Sequence, residues 1–233
     1  MAQIKEFPSL KESVLDRIRK DIITCRLKPG EPIRDTDLAA RYGVSTSPIR
    51  EALVQLASER LVDMPPNKSK IVSPLNVSLA MEVFAIYRVV ALSTFSWAAP
   101  NIHSRDLDKM KRALAHMEKM KLDKDGYKFL THSNEFFLTA YGAAGNAEAL
   151  DIIRRSLHRI ERIILFYEIS LSTDLPQAMF NHLASGDFSG AVRAHFDIFD
   201  RFGQELGKIE SRREAAMKPK QVKAARRLGG VKS

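Results

Sequence analysis

Residues 34 to 72 read RDTDLAARYGVSTSPIREALVQLASERLVDMPPNKSKIV, and the folding of this stretch decides the character of the chain. Leu38 and Ala39 give a short helix an apolar face, and Gly43 breaks it. A second helix opens at Ser45 and carries Ile49, Leu53 and Leu56 at i, i+4 and i+7. Burying that stripe leaves a polar, projecting start made of Ser45, Thr46, Ser47 and Arg50, with Thr46 and Arg50 on one face. Such a tip can enter a major groove, with hydroxyls for phosphates and an arginine for base edges.

Residues 61–64 and 70–72 are short extended segments around Pro65-Pro66-Asn67-Lys68-Ser69, where the prolines forbid helix. They predict a hairpin wing with a basic tip, in which Asn67, Lys68 and Lys70 suit the minor groove or its phosphates. Thr36, at the start of the first short helix, joins the expected DNA-contacting set. Arg50 is the leading candidate, since a guanidinium can pair with O6 and N7 of guanine or clamp a phosphate. The competing role is an internal ion pair with Glu51 or Glu59. Ser45 is expected to cap the helix, and Pro48 in its first turn removes no needed bond.

The runs Leu27-Lys28-Pro29-Gly30, Asp37-Leu38-Ala39, Tyr42-Gly43-Val44-Ser45 and Pro48-Ile49-Arg50-Glu51-Ala52-Leu53 resemble the winged-helix domain of GntR-family transcription regulators. The remainder resembles the all-helical ligand-binding domain of the FadR branch, the FCD type. The likeness covers about residues 9 to 208 and is most specific in its first third. It implies a homodimer on an approximately palindromic double-stranded DNA operator, with a small-molecule effector in the helical domain, and repression relieved by ligand as the expected sign. Two departures stand out. Many relatives carry a base-reading arginine where this chain has Thr46, so about 1 to 3 kcal/mol of discrimination at one base pair should be missing or supplied elsewhere. They also carry a glycine where Ser69 stands.

The fold expected is mainly α: an N-terminal winged helix-turn-helix followed by an all-helical antiparallel bundle. The domains are 1–74 for DNA binding, 77–208 for effector binding and dimerisation, and 209–233 as a mobile basic tail. A first helix is read at 9–25, capped by Ser9, with Val14, Leu15, Ile18 and Ile22 on its stripe. Bundle helices are read at 77–99, 104–121, 125–143, 146–170, 175–185 and 187–208, with Gly145-Asn146 and Gly186-Asp187 marking turns. The net charge is +3 over residues 1–74, −1 over 75–210 and +7 over 211–233, so most of the basicity lies outside the reading head. The single cysteine, Cys25, excludes an internal disulfide and agrees with a reducing cytoplasm. No charged n-region followed by an apolar core opens the chain, so no signal peptide is expected, and residues 77 to 99 are broken by Glu82 and Arg88, which reads as a core helix and not a membrane span.

The resemblance also implies a divalent metal held by one aspartate and three histidines inside the bundle. Counting from Gly145-Asn146 and Gly186-Asp187 puts those positions at Ser133, Phe137, Pro176 and Ile198. Three of these side chains have no lone pair to give, so no metal and no other cofactor is expected. His195 sits one turn from a lost position, which leaves a shifted histidine site as an alternative. Phe137 and Ile198 would make the cavity less polar and suited to an apolar or aromatic effector. The expected effector-binding set is Arg88, Ser133, Phe137, His195 and Ile198, with Arg88 as anchor or else paired with Glu135 or Glu161. A collapsed cavity is a further alternative. A sequence-nonspecific nucleic-acid-binding protein driven by the tail is the rival reading. No nucleophile–base set or phosphate-binding glycine loop supports an enzyme.

Overall fold

The structure is a computed structural model that describes residues 10–228 apart from 67, 123, 124 and 171. The expected cap at Ser9 and wing-tip contact at Asn67 lie outside the described residues. In chain order the head contains α1 (Leu10–Ile23), β1 (Pro32–Ile33), α2 (Asp35–Tyr42), α3 (Thr46–Ser58), β2 (Val62–Asp63) and β3 (Lys70–Val72). The bundle contains α4 (Val77–Ala98), a 3₁₀ turn at Ala99–Asn101, α5 (Ser104–Leu122), α6 (Gly126–Gly142), α7 (Ala147–Phe166), α8 (Asp174–Ala184) and α9 (Phe188–Leu228).

The head closes on one apolar core. Ile18 and Ile22 of α1, Leu38 of α2 and Ile49, Leu53 and Leu56 of α3 are all buried in it. Each such side chain contributes about 1.5 to 3 kcal/mol by leaving water. Gly43 ends α2 at φ 70°, a left-handed conformation that glycine adopts without steric penalty, and its N–H donates to Ala39 O. Arg19 of α1 clamps Glu59 at the end of α3 through Nε (2.9 Å) and a terminal nitrogen (2.7 Å). Burial pushes the Glu59 carboxyl up, but this two-point contact prevails and holds it below the ordinary range. The wing is part of a three-stranded antiparallel sheet in the order β1-β3-β2, with Val62 opposite Val72 and Ile33 opposite Lys70. The third strand, β1, was not expected; two residues carry no alternation to read.

The remaining apolar residues form a second core, centred on Phe84, Tyr87, Phe95, Phe136, Tyr141, Ile153 and Met179. Within it α4 packs against α6, α7 and α9, α5 against α6, and α8 against α9. Asn76 opens α4 by accepting from Leu79 N at 2.9 Å, and Asn146 opens α7 by accepting from Ala149 N at 3.0 Å. α4 with its 3₁₀ turn is long and apolar enough to cross a membrane by length and composition, yet it packs as a core helix of this bundle.

Two expectations about helix ends are corrected. α7 stops at Phe166 and not at 170, because Glu168 takes a left-handed φ of 52° and Ile169 N returns to Ile164 O at 2.9 Å. That turn uses a residue other than glycine, so it leaves no mark in the sequence. The tail expected from 209 instead continues α9 to Leu228. The Arg, Glu, Ala, Lys and Gln that make this segment basic and poor in large apolar groups are also strong helix formers.

Candidate functional site

The start of α3 is where the head leaves backbone donors open. Ser45 stands at the N-cap in extended conformation, φ −72° and ψ 169°, but its side chain makes no cap bond, contrary to expectation. The first amides of α3 and the exposed Ser45 hydroxyl are thus both available to an outside acceptor. Thr46 is half-buried and Ser47 is exposed. One turn on, Arg50 is 68% exposed at its side chain, so its head reaches solvent. Its partner is neither Glu51 nor Glu59, as considered from sequence, but Asp35 of α2, reached through Nε at 2.9 Å.

Asp35 organises the whole edge. Its other oxygen accepts from Lys70 Nζ of β3 at 2.6 Å. One carboxylate therefore draws the α3 arginine and the wing lysine together at the first turn of α2. Burial pushes the Asp35 carboxyl up, yet the bonds from Lys70 and Arg50 outweigh it and hold it low. Sequence reasoning missed Asp35, which lies 15 and 35 positions from its partners. Lys68 is exposed on the wing, while Lys70 is partly covered. Thr36 is exposed and bonds the neighbouring Asp37 carboxylate at 3.3 Å.

Between its helices the bundle holds a partly open cavity of about 150 Å³. Ser133 and Phe137 of α6, Pro176 of α8 and Ile198 of α9 all line it, so the four positions picked out by counting do converge in space. Apolar side chains such as Phe84, Met117, Leu157, Ile160, Phe199 and Phe202 form most of its wall. Among the described residues no three His, Cys, Asp or Glu side chains come together as a metal ion would require.

Two expected effector contacts are corrected. Arg88 does not line the cavity: it bonds Asp200 at 3.2 Å and lies over the Phe196 ring at 4.7 Å. Glu161, one partner proposed for it, instead accepts from Asn134 Nδ2 at 2.6 Å and pairs with His158 Nδ1 at 3.0 Å. His195 is buried outside the lining, against Phe95 (4.4 Å between ring centroids) and Phe199 (5.0 Å). Its Nε2 meets the Tyr141 hydroxyl at 2.9 Å, and its Nδ1 has no partner among the described residues. Burial alone pushes the ring's pKa down to about 3, so this histidine is neutral in the folded protein at ordinary pH.

Polar groups that line the cavity besides Ser133, Ser170 and Ser172 are Tyr87, Tyr141, Asn134 and Glu161, with Arg201 and Glu205 contributed by α9. Of the polar lining only Ser133 was expected from sequence, while Glu161 was considered solely as a partner for Arg88. Asn134 is adjacent to the counted position Ser133 and could have been found by reading the helix face around it. Burial pushes the Tyr87 and Tyr141 phenols well up, so both are protonated donors.

Comparison with known proteins agrees with this geometry. Residues 10–72 match the family model described as bacterial regulatory proteins, gntR family, and residues 82–201 match the FCD domain. The uncharacterized HTH-type transcriptional regulator YdfH of Escherichia coli is 22% identical over 122 residues, covering 52% of this chain and 53% of that protein. The HTH-type transcriptional repressor RspR of Escherichia coli is 21% identical over 122 residues, 52% of this chain and 53% of that protein. The chain thus spans about half the length of these curated relatives. An HTH-type regulator in an unstable DNA locus of Streptomyces ambofaciens is 24% identical over 195 residues, covering 79% of this chain and 83% of that protein. Among solved structures, E. coli McbR/YncC superposes with TM-score 0.74 at 18% identity, covering 88% of this chain and 100% of that one. A likeness at that identity concerns the fold.

Proposed function

The chain belongs to the gntR family of bacterial regulatory proteins and carries an FCD domain, and on that premise we propose that it is a ligand-responsive transcription regulator. It reads duplex DNA with the tip of α3 and answers to a small molecule in the bundle cavity. The observation that carries this reading is the exposed edge of Ser45, Ser47 and Arg50 at the open-amide end of α3, with Lys70 of the wing tied to the same carboxylate as Arg50. Hydroxyls and free amides suit phosphates, and the arginine suits a guanine edge.

The working unit is a homodimer on an approximately palindromic operator. On its outer side α4 leaves Ile86 (65%), Val89 (63%) and Trp97 (50%) exposed, an apolar face that a second copy would cover. RspR is named a repressor, and repression relieved by ligand is the reading proposed here too. The cavity works without a metal ion. In apolar surroundings a volume of about 150 Å³ takes a molecule of roughly benzene size, so a compact apolar or aromatic effector is favoured. Glu161, Tyr87 and Tyr141 then supply the few polar contacts that orient it. The protein acts by binding in the cytoplasm and catalyses no reaction.

Selection of duplexes from a random library, followed by titration of the winners, tests the DNA reading. A two-fold motif with half-sites about one helical turn apart is expected. Equal affinity for selected and random duplexes would overturn sequence-specific reading. Stoichiometric zinc, nickel or manganese that chelators strip from the purified protein would overturn the metal-free cavity.

A further inference from the structure

Where the head meets the bundle, three arginines converge on a small cavity of about 20 Å³. Arg60 comes from the turn after α3, Arg159 and Arg162 come from α7, and Ser73 of the linker lies between them. Arg162 is 3% exposed, yet its Nε is a buried donor with no partner among the described residues. Its terminal nitrogens donate to Ser73 Oγ at 3.1 Å and Ser73 O at 2.8 Å, both neutral acceptors. The Cys25 thiol makes a side-chain hydrogen bond with Arg162 and Asp63 on β2 acts on it electrostatically, but no ion pair is made by Arg60, Arg159 or Arg162 among the described residues. Burial, joined at Arg159 by the Arg60 charge, depresses the basicity of both α7 arginines. Three like charges around one cavity, one of them dry, call for a counter-charge.

Arg60 adds an independent sign. It sits at φ 57° in the turn that closes α3, with Leu61 N returning to Leu56 O at 2.9 Å. Glycine fills such a position without strain, whereas an arginine there carries backbone strain and directs a cation to the cavity.

We propose that this cavity is an anion site, occupied by one phosphate-type oxyanion that bridges Arg60 of the head to Arg159 and Arg162 of the bundle. The room is small, with Leu75, Leu79, Val83 and Ile163 completing its wall, so it takes one compact ion at most. A DNA phosphate is not its source, because the thirteen residues of α3 place Arg60 roughly 20 Å from the helix tip that faces DNA. The ion fills the junction, offsets most of the cluster's charge and ties the two domains.

Calorimetric titration of the full chain with inorganic phosphate, in chloride-free buffer at constant ionic strength, tests it. One saturable site per chain is expected, at least tenfold weaker in Arg159→Gln and unchanged in Arg50→Ala, which removes only the DNA-facing cation. Arg159 is the variant of choice because Arg162 also holds the linker. Arg60→Gly gives a second readout: its thermal midpoint in phosphate-free buffer should rise, and the further rise that phosphate gives the wild type should vanish. No saturable binding, equal phosphate affinity in Arg159→Gln and wild type, or loss only in Arg50→Ala overturns the proposal.

Discussion

At the scale of single residues, the edge proposed to face DNA turns on how Arg50 is held. A bond through Nε to Asp35 fixes the guanidinium plane on a short tether, which lowers the ordering cost of a later two-point contact by the terminal nitrogens. Arg50→Ala should weaken operator binding by about 1 to 3 kcal/mol and relax preference at one base position, read by repeating the duplex selection on the variant. An unchanged motif would remove Arg50 from base reading. Arg50 was legible because it lies one turn from the tip on the same helix, so spacing alone placed it. Asp35 was not, because its two partners come from a different helix and a strand. His195 shows the same limit in the bundle: sequence placed it one turn from a counted position but could not show that aromatic rings seal it off. Its folded pKa of about 3 lies below the unfolded value, so the unfolded chain binds the extra proton as pH falls. Stability from this residue is intact above about pH 6.5 and declines towards pH 3, by roughly 1.4 kcal/mol per unit in the middle of that window. Denaturant titrations at pH 7 and pH 5 should show this loss in the wild type, and a His195→Phe chain should lack that part of it.

At the scale of elements, the helices of the head were legible because each buries a stripe of fixed period, and Gly43 marks the break between α2 and α3. Where a turn uses Glu168 in place of glycine, or where a charged segment favours helix, composition misleads. α4 is the element whose sequence says two things at once. Its inward face, with Ala80, Phe84, Tyr87, Ala91 and Phe95, is buried in the bundle core. Its outward residues Ile86, Val89 and Trp97 recur at three- and eight-residue steps and remain exposed in the single chain. A second apolar stripe opposite the buried one calls for cover, so a second protomer is expected on this side. Val89→Asp would place a charge at the middle of that stripe and leave the inward face untouched. Sedimentation equilibrium should then report monomers of unchanged helix content, while the wild type sediments as a dimer. A dimer that survives the substitution would move the interface to another face.

At the scale of the whole molecule, the question is how a ligand in the bundle reaches the head. The cavity and the junction share α7, where Glu161 lines one and Arg162 the other, in adjacent positions. Successive residues on a helix face different ways, so a rotation or shift of α7 that suits a ligand at Glu161 must also move the Arg162 guanidinium. That guanidinium holds Ser73 by its hydroxyl and its carbonyl, and the Ser73 hydroxyl in turn donates to Arg60 O at 2.9 Å. Neither link was legible from sequence: Arg162 and Ser73 are 89 positions apart, and a serine in a linker carries no signal of a buried partner. These bonds tie the linker to both domains, which predicts that head and bundle melt together. Ser73→Ala deletes one acceptor of a buried cation and the bond to Arg60 O, at a cost of about 1.5 to 3 kcal/mol. Scanning calorimetry of the wild type should give a single transition for head and bundle. In Ser73→Ala the head should melt first, in a separate step, with the bundle's own transition nearly unmoved. If the variant instead melts in one step at a uniformly lower temperature, the coupling runs not through Arg162 but through α1 of the head, which also packs against α7 of the bundle.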